Sequence, residues 1–136
     1  MTREAVRTSS APAAIGPYSQ GIDADGFVFC SGQIGLDPST GDLVEGLEAQ
    51  TERVLRNIAA ILDAVGLSMS DIVKTTIFLT DMNDFATVNG IYGKHVVDPP
   101  PARSTIAVTA LPKGARIEIE ATAPVAAPDE SREEPT

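Results

Sequence analysis

The 136-residue chain has one cysteine, one histidine and no tryptophan, and it carries 10 basic side chains against 19 acidic ones. Each scarcity excludes something. A lone cysteine, Cys30, cannot close an internal disulfide. Cys30 and His95 supply too few soft ligands for a chelating pair, and no carboxylates cluster at metal-binding spacing, so no metal is expected. A net charge of −9 repels phosphate backbones and anionic membrane surfaces. Aromatics are 4% of the chain and are not interleaved with basic residues, which argues against a nucleic-acid surface. No stretch reaches the ~18 uninterrupted apolar residues of a membrane span, and the amino terminus lacks the long apolar core of a signal peptide. These absences predict a soluble, reduced, cytoplasmic protein with no nucleic-acid or membrane partner.

What is present suffices for one folded domain. Hydrophobic residues make up 43% of the chain, enough at this length to bury a core. That domain is expected over 1–126. The remainder, 127–136, is rich in proline and charge and has no apolar periodicity, so a mobile tail is expected there.

Punctuation and periodicity divide the domain. Ala5 and Val6 suggest a short first strand, and 19–23 an extended segment. Asp25-Gly26 is a hairpin signal, because both central residues of the favoured turn need positive φ. The strand that follows, 27–34, alternates. Phe27, Phe29, Ser31 and Gln33 are expected on one face, and Val28, Cys30, Gly32 and Ile34 on the other. Leu47, Val54, Leu55, Ile58, Ile61, Leu62 and Val65 recur at three- and four-residue spacings and predict a helix over 46–65, with Gly66 at its cap. A β-branched strand is expected over 72–79. Asp81 to Asp84 offer an N-cap for a second helix over 85–95, with Phe85, Val88, Asn89 and Tyr92 on one side. Pro99, Pro100 and Pro101 stop it. Two strands close the domain, 102–108 and 115–121, joined through Leu111-Pro112-Lys113-Gly114.

This order predicts an α+β fold, a mixed β-sheet with two α-helices packed on one face. Two helices cover only one side. A face carrying Thr75, Ile77, Thr105 and Ala107 is therefore expected to be covered by another subunit, and a homo-oligomer follows.

Arg103 is the leading candidate for chemistry. An isolated arginine at a strand edge is most often a surface ion-pair partner. Here the preceding prolines fix the backbone, the flanks are small or apolar, and a planar guanidinium matches a carboxylate in two-point contact. Glu118 and Glu120 share one face of the last strand. A solvated strand face accounts for Glu120, and Arg116 is placed to pair with either. A carboxylate there that is covered by a neighbour would have a raised pKa and could serve as acid or base. Tyr18, after the rigid Gly16-Pro17, is a candidate pocket wall. Ser31 and Gln33 flank Gly32, where a ligand could approach the backbone. No histidine is placed to activate Ser31 as a nucleophile, and His95 is expected at a surface helix end. Cys30 is read as core, and Asn89 as a hydrogen-bond partner for backbone.

Six segments, taken in order, resemble the RidA/YjgF family of enamine/imine deaminases: Ala13-Ala14-Ile15-Gly16-Pro17-Tyr18-Ser19-Gln20-Gly21, Ser31-Gly32-Gln33-Ile34, Asp71-Ile72-Val73-Lys74-Thr75-Thr76, Asn83-Asp84-Phe85-Ala86-Thr87-Val88-Asn89, Pro101-Ala102-Arg103-Ser104 and Ile117-Glu118-Ile119-Glu120-Ala121. The resemblance spans about 11 to 124. It implies a chorismate-mutase-like protomer, a homotrimer with sites in the clefts between subunits, and no cofactor. The activity it implies is hydrolysis of reactive 2-imino acids, such as those derived from 2-aminoacrylate, to 2-keto acids and ammonia. On this resemblance Arg103 binds the substrate carboxylate and Glu118 serves the catalytic water. Tyr18, Ser31 and Asn89 line or support the cleft. Thr105 stands where many members have cysteine, in a substrate-binding position. The stretch 94–100 is shorter and more proline-rich than is usual for the family. A carboxylate-binding trimer without catalysis is the alternative, and a ribonuclease or translation inhibitor a third reading.

Overall fold

The computed structural model describes residues 2–125, so the expected tail at 127–136 lies outside the described residues. Among the described residues six strands form one sheet: β1 (Arg3–Val6), β2 (Gly21–Ala24), β3 (Phe27–Gln33), β4 (Lys74–Leu79), β5 (Ala102–Ala107) and β6 (Ile117–Pro124). Their spatial order is β1-β2-β3-β6-β4-β5. All neighbours are antiparallel except β4 and β5, which are parallel and are joined through a helix. Two helices, α1 (Leu47–Asp63) and α2 (Phe85–His95), lie side by side on one face, so the expected α+β arrangement is found.

Local chemistry explains the elements. Asp25 and Gly26 take φ of 53° and 86°, the left-handed pair that a two-residue hairpin between β2 and β3 requires. The stripe of α1 is fully enclosed. Val54, Leu55, Ile58, Ile61 and Leu62 pack on the inner residues of the sheet, among them Val28, Ile77, Ile117 and Ile119. Burial contributes about 1.5–3 kcal/mol for each such side chain. Gly66, at φ 77°, ends the helix. Its N–H reaches Asp63 O and the Leu67 N–H reaches Leu62 O, a paired cap that also buries Leu67. Asp81 accepts the Asn83 N–H ahead of α2, as its N-cap position suggests.

Two expectations about faces are corrected. Thr75 and Ile77 lie beneath the helices, not on an open face, and the Thr75 hydroxyl meets Tyr92 Oη of α2 at 2.7 Å. Thr105 and Ala107 pair in register with Ile77 and Leu79 and so lie on that same side, Thr105 half-buried and Ala107 exposed at the sheet edge. In β3 the alternation breaks at a bulge between Cys30 and Gln33. The extra residue inverts the phase, which buries Gln33 opposite Ile119 and turns Gly32 to the other face. The alternating pattern of a strand carries no mark of such an insertion.

The face away from the helices is open. Phe27 and Phe29 are 40% and 48% exposed with ring centroids 6.2 Å apart, and Ile106 is 45% exposed. Glu118, Glu120 and Thr122 of β6 continue the same face.

Candidate functional site

Arg103 is the second residue of β5 and points to the helix side of the sheet. Its guanidinium carbon lies 5.5 Å from the Phe85 ring centroid and 5.2 Å from that of Tyr92. Two aromatic faces attract the cation and fix its plane. Asn89 does not bond backbone, as the sequence suggested. Its Oδ1 accepts from Arg103 Nη1 at 2.8 Å. Phe85, Asn89 and Tyr92 come from one side of α2, so that helix aims the guanidinium. The remaining donors of Arg103 have no protein acceptor among the described residues, and they border a hollow of about 440 Å³ shared with Asn89, Tyr92 and Pro100. A planar cation held this way is set to receive a carboxylate. Two residues further along β5, Thr105 Oγ1 is buried without a hydrogen-bond partner among the described residues.

Glu118 stands on the opposite side. It lines a cavity of about 750 Å³ together with Tyr18, Ser31, Gly32, Lys113 and Glu120, with apolar walls from Ile15, Ile34 and Leu36. The bulge at Gly32 makes room for it, since a Cβ at that position would collide with the Glu118 carboxylate. What approaches the Gly32 backbone is therefore the protein's own acid. Burial raises the Glu118 pKa, and the charge of Glu120 raises it further. Arg116 does not relieve this. It donates to both carboxylate oxygens of Asp84 at 3.1 Å, on the helix side, because its backbone N–H is fastened to Gln50 Oε1 at 2.8 Å. Neither Glu118 nor Glu120 is in an ion pair among the described residues.

Ser31 is a fastener here. Its hydroxyl donates to Ser19 O at 2.6 Å and its N–H to Gln20 O at 2.9 Å, tying the loop before β2 to β3. Gln20, which the sequence reading passed over, holds that loop from within. Its Nε2 donates to Thr8 O, Ala11 O and Pro12 O, and its Oε1 accepts from Thr8 N. Only the loop's folded path reveals that one amide serves four backbone groups. Tyr18, at the tip of this loop, is 53% exposed on the cavity wall. Cys30 is core as expected, and burial pushes its thiol up to about 12. His95 ends α2 as expected, half-buried, with its Nε2 2.8 Å from Glu52 Oε1 of α1.

Comparison with known proteins shows the family. The chloroplastic reactive intermediate deaminase A of Arabidopsis thaliana is 56% identical over 122 residues, 89% of this chain and 65% of the relative. A 2-iminobutanoate/2-iminopropanoate deaminase of Salmonella typhimurium is 50% identical over 121 residues, 87% of this chain and 94% of the relative. The crystal structure of Escherichia coli TdcF with bound serine superposes with a TM-score of 0.84 at 44% identity, over 90% of this chain and 99% of that one. The model of the family described as endoribonuclease L-PSP matches residues 8–125, and the chain belongs to this RidA/YjgF family.

Proposed function

We propose that the protein hydrolyses 2-imino acids to 2-keto acids and ammonia, at sites formed where two copies meet. The observation that carries this reading is the pair of half-sites. One is a clamped guanidinium with free donors, and the other is a carboxylate of raised pKa in a cavity. They occupy opposite faces of one sheet, so a small substrate meets both only across a contact between copies. The open face with Phe27 and Phe29 supplies an apolar surface for that contact, and the family resemblance suggests three copies. Relatives about 50% identical that are named 2-iminobutanoate/2-iminopropanoate deaminase support the substrate class.

Arg103 holds the substrate carboxylate in two-point contact and fixes the position of C2. That carbon is already electrophilic, because it is doubly bonded to nitrogen. Water attacks it while Glu118 accepts a proton from the water. That proton passes to the nitrogen, giving a carbinolamine; Glu118 then relays the hydroxyl proton to the same nitrogen, so the C–N bond breaks and ammonia leaves as the C=O forms. A glutamate whose pKa is raised by partial burial and by Glu120 can both accept and return a proton. Tyr18 and Ser31 shape the wall and Asn89 orients Arg103, whereas the Thr105 hydroxyl is buried outside the lining of the Arg103 hollow. A non-catalytic carboxylate binder explains Arg103 but leaves unexplained a half-buried acid lodged over Gly32. The family description names an endoribonuclease, yet a net charge of −9 disfavours an RNA substrate.

Mixing two inactive variants tests the reading. Arg103→Ala and Glu118→Ala are each expected to lose turnover of enzymatically generated 2-iminobutanoate. Random reassembly of the two in equal amounts should restore about a quarter of the sites, those that draw Arg103 and Glu118 from different copies. Full activity in either single variant defeats the assignment of that residue, and no recovery on mixing defeats the shared site.

A further inference from the structure

Among the described residues, Lys113 is the one lysine or arginine in the lining of the Glu118 cavity. The backbone there is unusual. Lys113 takes φ 58° and ψ 21°, a left-handed conformation that a lysine rarely adopts, and Gly114 follows at φ 74°. Glycine or asparagine would hold this turn with less strain, so geometry alone does not call for a lysine. No ion pair accounts for it either. Lys113 is exposed, and among the described residues it bridges neither Glu118 nor Glu120. Other cations among the described residues are committed or elsewhere. Arg116 is bound to Asp84, Arg103 lies on the opposite face, and Arg7 lines a neighbouring hollow.

The cavity itself has an electrostatic problem. It holds two carboxylates, belongs to a chain of net charge −9, and would have to admit an anion. We infer that Lys113 is the cation that draws the anionic substrate into the Glu118 cavity and sets its affinity there, a specificity-determining residue that favours carboxylates over neutral or cationic molecules. The inference rests on the deaminase reading for the identity of the anion. It needs no contact with the reacting carbon, because an exposed ammonium on the cavity lining acts through its field.

The test compares wild type, Lys113→Asn and Lys113→Arg in two measurements, calorimetric binding of 2-oxobutanoate and turnover of 2-iminobutanoate. Asparagine tolerates the left-handed turn, so Lys113→Asn should keep or raise the melting temperature. It should weaken binding and raise KM about 3- to 10-fold at low ionic strength, with kcat little changed. At about 0.5 M salt the difference should shrink below about twofold, because the screening length is then only a few ångströms. Lys113→Arg should stay near wild type. Wild-type binding that is absent, or that is indifferent to both salt and Lys113→Asn, overturns the inference whatever the turnover. So does a loss that comes with a lowered melting temperature and ignores salt. If wild type binds 2-oxobutanoate with this salt and Lys113 dependence but turns nothing over, the deaminase reading falls and the role of Lys113 stands.

Discussion

Arg103 and Glu118 stand on opposite faces of the same sheet, on β5 and β6, with β4 between them. Arg103 pairs in register with Thr75 beneath the helices, whereas Glu118 pairs with Phe78 on the open side. Side chains alternate strictly across a strand, so no rotamer brings the two groups to one small molecule within a single copy. Each half-site is nevertheless finished in itself. One is clamped by α2 and the other seated over a bulge.

The clamp on Arg103 depends on planarity as well as charge. Arg103→Lys keeps the charge but loses the fork, the bond to Asn89 and much of the stacking on Phe85 and Tyr92. Binding of 2-oxobutanoate is expected to weaken about 10- to 100-fold, the loss of a charged hydrogen bond worth ~1.5–3 kcal/mol. Calorimetric titration checks this, and a lysine variant with wild-type affinity would show that charge alone suffices.

Glu118 should leave its mark on pH dependence. As the base it must be ionised, so kcat/KM should fall on acidification with a midpoint above the ordinary glutamate value of about 4.3, and Glu118→Gln should lower kcat by about 10²- to 10⁴-fold. Stability runs the other way. Folding raises this pKa, so the contribution of Glu118 is fully present below the unfolded value and is lost as pH rises through the folded one. Glu118→Gln mimics the protonated form and should melt above wild type at about pH 8 but level with it at about pH 4. A variant less stable than wild type at the higher pH would show that the carboxylate is not strained by its site.

Gly32→Ala isolates the seat from the acid. The added methyl collides with the Glu118 carboxylate and must push it aside. Turnover should drop toward the level of Glu118→Gln while Arg103 still binds 2-oxobutanoate within about threefold of wild type, since misplacing one catalytic group by ~1 Å costs up to about 100-fold. Equal losses of binding and turnover would mean that the loop, not the acid, had moved.

Phe29→Asp puts a charge at the centre of the exposed apolar face, without touching the core beneath. Sedimentation velocity is expected to show the wild type as an assembly, three copies on the family resemblance, and the variant as single copies with unchanged far-ultraviolet circular dichroism. Turnover should vanish with assembly. A wild type that sediments as one copy, or a variant that stays assembled, removes the open face as the contact.

Much of the fold was legible because local patterns specify it. The three- and four-residue spacing of α1, the Asp25-Gly26 turn, the cap at Gly66 and the prolines after α2 each act over a few residues. So did the pairing of Glu118 with Glu120 on one face. The misreadings came where one residue or one distant partner changed the outcome. The bulge between Cys30 and Gln33 reversed a face, and Asp84 and Gln50 drew Arg116 away from the glutamates. Gln20 became a clamp only once the loop before β2 had closed around it.

The sequence by itself determined that an aimed arginine and a strand glutamate are present, in a chain whose charge disfavours nucleic acid. Tertiary structure alone decided that they face apart, that Gly32 leaves space for the acid, and that Asn89, Phe85 and Tyr92 hold the guanidinium. The physical reason is the reach of the forces concerned. Helix stripes and turns arise from neighbours along the chain, whereas the face a side chain occupies, the charge beside it and the water it loses depend on which strands pair and in what register.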